Sequence, residues 1–97
     1  MMKIVLSALL TLLPLPLHAA TRTWTGAVNH LWSNAGNWQG GVPVAGDDLA
    51  FTDYDGGDTV NDLPAGTMFR SIQASGGEWI LTGNAIGLTH GLNLQSA

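Results

Sequence analysis

Residues 24–51 read WTGAVNHLWSNAGNWQGGVPVAGDDLAF and contain three of the four tryptophans in a chain of 97 residues. Trp24, Trp32 and Trp38 fall within fifteen positions, and each carries a large apolar ring with one hydrogen-bond donor. Because aromatic side chains pack inside proteins more often than they bind ligands, we interpret the three rings as a small core. This core would cover one open end of a stack of short strands.

The first twenty residues predict a secretory signal peptide. Lys3 precedes an apolar run at residues 4–17, and Ala19 and Ala20 follow it, which is the order of charge, apolar segment and small-residue cleavage site. The run has 14 residues, whereas a membrane-spanning helix needs about 20. We therefore expect cleavage, most favourably after Ala19, and a secreted or cell-surface protein without a membrane span after cleavage. The alternative is a buried or anchoring N-terminal helix.

Charge and cysteine content exclude several classes of function. Without residues 1–20 the chain has Arg22 and Arg70 against seven acidic side chains, a net charge of −5. A chain this acidic has no basic patch for phosphates, so nucleic acid is not an expected partner. Anionic membrane surfaces are disfavoured for the same reason. The absence of cysteine excludes disulfides, a cysteine nucleophile and a thiolate metal site.

The remainder of the chain predicts short β-strands separated by turns. All 13 glycines lie after residue 20, and glycine costs about 1 kcal/mol against alanine inside a helix. Apolar residues recur at steps of six to twelve from Phe51 onwards, a spacing typical of a sandwich, a barrel or a solenoid. We expect a polar loop at residues 53–58, a very short strand at 59–61, and a His90-Gly91 turn between two strands.

Strands of this length bury a continuous apolar column when they stack as successive turns of a β-helix. We therefore divide the chain into a signal peptide at residues 1–20 and a β-helix N-terminal module at 21–97. The module comprises a tryptophan-rich cap at 21–52 and short strand rungs at 53–97. An apolar run lies just before Ala97 with no polar capping segment, so we expect the module to be incomplete.

The tryptophan segment resembles the N-terminal segment of bacterial autotransporter passengers and related surface proteins with β-strand repeats. The pattern is W-x-G, W-S, N-W, G-x-P and an Asp before an apolar Phe. The matching residues are Trp24, Gly26, Trp32, Ser33, Asn37, Trp38, Gly41, Pro43, Asp48 and Phe51. The resemblance implies an all-β, right-handed parallel β-helix, with export and a structural or adhesive role. It implies further rungs of the same protein as partners, and no catalytic residues.

Asp53, Asp55 and Asp58, around Gly56-Gly57, form the strongest candidate for a metal site. Three carboxylates on a flexible loop could hold Ca²⁺, the one cofactor the sequence brings into consideration. Glycine replaces the third acidic position of an EF-hand loop, and the motif does not repeat as it does in calcium-bound β-rolls. We therefore favour a solvated turn without a metal.

The other polar residues do not predict an enzyme. Asp47 and Asp48 are adjacent, so on a strand they would point to opposite faces and not flank one glycosidic bond. His30 and His90 lack companions at metal-ligand spacing. Two alternatives to the structural role remain. One is a carbohydrate-binding module in which Trp24, Trp32 and Trp38 stack on surface glycans; the other is a fragment of a β-helical polysaccharide-cleaving enzyme.

Overall fold

The computed structural model describes residues 20–52 and 56–94, and these are almost entirely β-strand and turn. The all-β prediction is confirmed. No helix in these two ranges is long and apolar enough to cross a membrane. The predicted signal peptide spans residues 1–20, of which residues 1–19 lie outside the described residues. The strands are β1 (Thr21–Trp24), β2 (Trp38–Gln39), β3 (Asp48–Phe51), β4 (Gly56–Asn61), β5 (Thr67–Ala74), β6 (Glu78–Gly83) and β7 (Ile86–Leu94), with one 3-10 turn at Ala35–Asn37.

The strands form two sheets, and from β3 onwards consecutive strands alternate between them. One sheet has the order β2-β1-β3-β5-β7 and the other pairs β4 with β6. Every pair is parallel except β1 with β2. A parallel bridge between Leu31 and Val60 places the segment after β1 beside β4. We use the word layer for a strand of the larger sheet together with the segment that follows it in the chain, and parallel pairing joins each layer to the next.

Equivalent residues in successive layers stand beside one another on the same face of the large sheet. Leu49 pairs with Ile72, and Ile72 pairs with Leu92. Side chains alternate between the two faces of a strand, so these residues form one column, in which Leu49 and Ile72 are buried and Leu92 is 57% exposed. Phe51, Ala74 and Leu94 form a second column in the same register. The buried core comprises Trp24, Trp32, Trp38, Leu49, Phe51, Phe69, Ile72 and Ala74.

The predicted polar loop at residues 53–58 is wrong in its second half, because β4 begins at Gly56. Gly56 and Gly57 pair with Glu78 and Trp79 of β6. A Cβ atom at Gly56 would overlap the backbone of Glu78. Glycine here permits close approach of two strands, whereas the sequence pattern alone suggests a turn.

The predicted turn at His90-Gly91 is also wrong. Residues 86–94 form one strand, which pairs with β5 on both sides of a register shift between Phe69 and Ser71. Gly91 has a φ of +99°, the left-handed region that glycine enters without steric cost. The extra residue is accommodated as a β-bulge, which bends the strand without reversing it.

Candidate functional site

Trp24, Trp32 and Trp38 meet in edge-to-face contacts, and together we call them the tryptophan lid. The ring centroids of Trp24 and Trp38 lie 5.0 Å apart at 80°, and those of Trp32 and Trp38 lie 5.8 Å apart at 89°. Phe51 lies beneath all three rings at centroid distances of 5.7 to 6.3 Å. Contacts of this geometry contribute about 0.5–1.5 kcal/mol each beyond the apolar area they bury.

Hydrogen bonds from the indole nitrogens fix the orientation of two rings. Trp32 Nε1 donates to Thr59 Oγ1 at 2.8 Å, and Thr59 is fully buried on β4. Trp38 Nε1 donates to the carbonyl oxygen of Trp32 at 2.9 Å. A buried donor left without an acceptor would cost about 1–3 kcal/mol. The lid is therefore bonded to the second layer as well as packed on it.

Asn37 organises the loop that carries the lid. Its side chain is fully buried, and Oδ1 accepts from the backbone N–H groups of Val28 and Asn29, both at 2.9 Å. Its Nδ2 donates to Asn29 Oδ1 at 2.7 Å and to the carbonyl oxygen of Leu31 at 2.9 Å. One side-chain amide thus bonds three residues of the segment between Trp24 and Trp32. The sequence pattern marks Asn37 as a turn residue and does not reveal this role.

The alternative in which the lid stacks on sugars has no geometric support. Trp24, Trp32 and Trp38 are 4%, 1% and 5% exposed, and a pyranose ring needs an open aromatic face. The fourth tryptophan, Trp79, is half-buried against Phe51 with its Nε1 bonded to the carbonyl oxygen of Ser75. The rings are components of the core in this structure.

The calcium candidates are only partly placed. Asp53 and Asp55 lie outside the described residues, and Asp58 is an exposed residue of β4. Within the part of the chain that the structure describes, no three His, Asp or Glu side chains are grouped so that they could hold a metal ion.

The two adjacent carboxylates bond to different partners, because Asp47 lies in the turn before β3 and Asp48 is the first residue of that strand. Asp47 Oδ2 accepts from Arg22 Nε and from the backbone N–H of Val44, both at 2.9 Å. Asp48 instead accepts from Ser71 Oγ at 2.5 Å and from Arg70 Nη1 at 3.1 Å. Asp47 therefore closes the turn before β3, and Asp48 ties β3 to β5.

A third carboxylate ties the first two layers together. The Ser33 hydroxyl donates to Asp62 Oδ2 at 2.6 Å, and the Ser33 backbone N–H donates to Oδ1 at 2.8 Å. The bond from the Ser33 hydroxyl, assisted by the backbone N–H groups of Ser33 and Asp62, lowers the pKa of Asp62 below its ordinary value.

Asparagines form a similar ladder between later layers. Asn61 Nδ2 donates to the carbonyl oxygen of Asn84, and Asn84 Nδ2 donates to the carbonyl oxygen of Leu63. Asn61 and Asn84 lie 23 positions apart, the same offset as Leu49 and Ile72. That repeated spacing is the sequence signal by which the ladder could have been found.

Two cavities lined by described residues lie beside β6 and β7. One, of about 220 Å³, is lined by residues of β6 and β7, including Leu81 and Ile86, and by Trp32. The other, of about 210 Å³, lies between Ala74, Trp79 and Leu94. Of these lining residues, Ala74 and Leu94 belong to the column that contains Phe51.

Comparison of the chain with protein-family models, with curated proteins and with solved structures found no match.

Proposed function

We propose that this chain is the N-terminal module of an exported, right-handed parallel β-helical protein with a structural or adhesive role at the cell surface or in the medium. The observation that supports this most strongly is the strand order from β3 to β7, which alternates between two sheets with parallel pairing throughout. The tryptophan lid then closes the first turn of the helix.

The pairing register supports a β-helix in which each coil contains two strands, one from each sheet. Leu49, Ile72 and Leu92 stand in one column at offsets of 23 and 20 residues. The path between them passes through β4 or β6 in the opposite sheet. Connections between parallel strands of one sheet are right-handed in about 98% of cases, which is the basis for the handedness we propose.

The hydrogen-bond partners of the polar side chains support a scaffolding role for this chain. Asp47, Asp48 and Asp62 bond to residues of neighbouring turns or layers. The outward side chains of the large sheet, including those of Arg70 and Gln73, are exposed. Solenoids present such repeated faces as extended binding surfaces. Adhesion would therefore use the outer face of the sheet and leave the lid buried.

Export is tested by expressing the full chain and a form without residues 1–20 in a Gram-negative host, followed by fractionation and intact-mass analysis. We expect the full chain outside the inner membrane with its N terminus processed, and the shortened form inside. Retention of an unprocessed full chain in the cytoplasm would contradict export.

The adhesive role is tested by binding of the purified chain to immobilised glycans and surface proteins, with tryptophan emission recorded in parallel. We expect any bound ligand to leave the emission of the buried lid unchanged. A ligand that binds and shifts this emission would favour the carbohydrate-binding alternative.

A further inference from the structure

We propose that Asp47 is the receptor for a new N terminus: cleavage between Ala19 and Ala20 converts the Ala20 amide nitrogen into an ammonium group that pairs with the Asp47 carboxylate. The nitrogen of Ala20 lies 3.4 Å from Asp47 Oδ1. Processing at this bond rests on the proposed export. The ion pair itself depends only on the chain beginning at Ala20.

The position of Asp47 makes the carboxylate a built site. The residue is 4% exposed, so its carboxylate is almost completely shielded from water. Arg22 Nε and the Val44 N–H both donate to Oδ2, while the Ala20 N–H donates to Oδ1. Arg22 also donates to the carbonyl oxygen of Gly40, which holds its guanidinium on one side of the carboxylate. The Oδ1 side faces the Ala20 nitrogen.

The backbone holds Ala20 in place independently of its amine. Its carbonyl oxygen accepts from the Asp48 N–H at 2.9 Å, and the next residue, Thr21, pairs in parallel with Asp48. The nitrogen of Ala20 is therefore presented to Asp47 by the same ladder that joins β1 to β3. Cleavage one residue later would remove this nitrogen altogether.

The chemistry of cleavage is balanced by water. A signal peptidase adds one water across the Ala19–Ala20 peptide bond, leaving a carboxylate on Ala19 and an amine on Ala20 that is protonated at neutral pH. An amide N–H carries a partial charge, whereas an ammonium carries a full one, and charge-assisted hydrogen bonds are roughly twice as strong as neutral ones. Processing thus adds a full charge to an existing contact, and the ammonium gains the strength of a charge-assisted bond as it closes the 3.4 Å separation from Asp47 Oδ1.

The pair predicts a defined pH dependence. The ordinary pKa of an α-amine is about 7.7–8.0, and a neighbouring carboxylate raises it in the folded state. The stabilisation is then fully present below about pH 8 and is lost as the pH rises through the folded pKa. The charged groups around this amine are Asp47 and Arg22, with Asp48 and Arg70 paired to each other nearby.

The test compares the chain beginning at Ala20, released from a fusion that leaves no extra residue, with the same chain acetylated at its α-amine. We expect the free-amine form to melt about 8 °C higher at pH 6, the shift that a tenfold change in the unfolding constant gives a domain of this size. The difference should vanish near pH 10. Equal melting temperatures across this range, or an α-amine that titrates at its ordinary pKa by NMR, would overturn the proposal.

Two substitutions locate the effect. Asp47→Asn should abolish the difference between free and acetylated chains. Asp48→Asn, the matched control, should leave it intact because the Asp48 side chain bonds Arg70 and Ser71. If Asp47→Asn does not fold, the acetylation and NMR comparisons on the unsubstituted chain decide the matter. Export failure would contradict the proposed function while leaving this ion pair to stand or fall on those melts.

Discussion

Asn61 and Asn84 bond to each other at the same corner of successive layers: Asn61 Nδ2 donates to the Asn84 carbonyl oxygen, and the Asn84 N–H donates to the Asn61 carbonyl oxygen, both at 2.8 Å. Asn61 also accepts from the Leu63 N–H at Oδ1. Where the chain leaves the smaller sheet, side-chain amides thus supply hydrogen bonds in place of the backbone bonds that join neighbouring strands.

We predict that Asn84→Ala lowers the free energy of unfolding by about 1–2 kcal/mol, because the Leu63 carbonyl oxygen loses the Nδ2 donor. Urea denaturation measures this change. Asn93→Ala is the control, since Asn93 is an exposed residue of β7 and should alter stability by less than about 0.5 kcal/mol. Equal effects of the two substitutions would show that the ladder does not stabilise the fold.

Replacing Asn37 by Asp should destabilise the chain by about 2–4 kcal/mol. The substitution replaces the Nδ2 amino group, which donates two hydrogen bonds, by a carboxylate oxygen that faces two acceptors, Asn29 Oδ1 and the Leu31 carbonyl oxygen. Oδ1 and its two backbone donors are preserved, so the change isolates the Nδ2 bonds. Thermal melts with near-UV circular dichroism of the tryptophans report both stability and the order of the lid. An unchanged aromatic signal and melting temperature would contradict the role assigned to Asn37.

The lowered pKa of Asp62 predicts an acid-dependent contribution to stability. A carboxyl whose pKa is lower in the folded state stabilises the fold above its unfolded pKa, and this contribution is lost as the pH falls through the folded pKa. We expect Ser33→Ala to be less stable than the parent chain at pH 6, and the difference in melting temperature between the two chains to become smaller as the pH falls into the acid range. Melts from pH 6 to pH 2 measure it, and a gap that is constant with pH would argue against the assignment.

The apolar end of the stack predicts self-association. Leu92 is 57% exposed on β7, which is an edge strand among the strands that the structure describes, and unprotected strand edges pair with other chains. Leu92→Lys should therefore shift sedimentation of the chain without residues 1–20 towards monomer. Val44→Lys is a matched control, because Val44 is also 57% exposed but lies in the turn before β3. Monomeric behaviour of the parent chain at all concentrations would refute this prediction.

The strand positions were predictable from local patterns because a half-buried strand must alternate and a turn favours glycine or asparagine. Phe51, Ile72 and the strand around Ile80 occur where the apolar spacing places them. The two errors, at Gly56-Gly57 and His90-Gly91, arise because glycine permits both turns and close strand contact. Local sequence does not distinguish these uses, whereas the neighbouring strand does.

Local sequence patterns were enough to predict the all-β class, the approximate strands and the packing of Trp24, Trp32 and Trp38. These features depend on the alternation of apolar residues and on the size of each side chain, both of which can be read from neighbouring positions. Only the tertiary structure decided that Arg22 and Ala20 meet Asp47, and that Asn61 meets Asn84. These partners lie 23 to 27 positions apart, and their contact depends on how one layer registers on the next. Hydrogen bonds act over about 3 Å, so these pairs can be identified only once the position of each layer against the next is known.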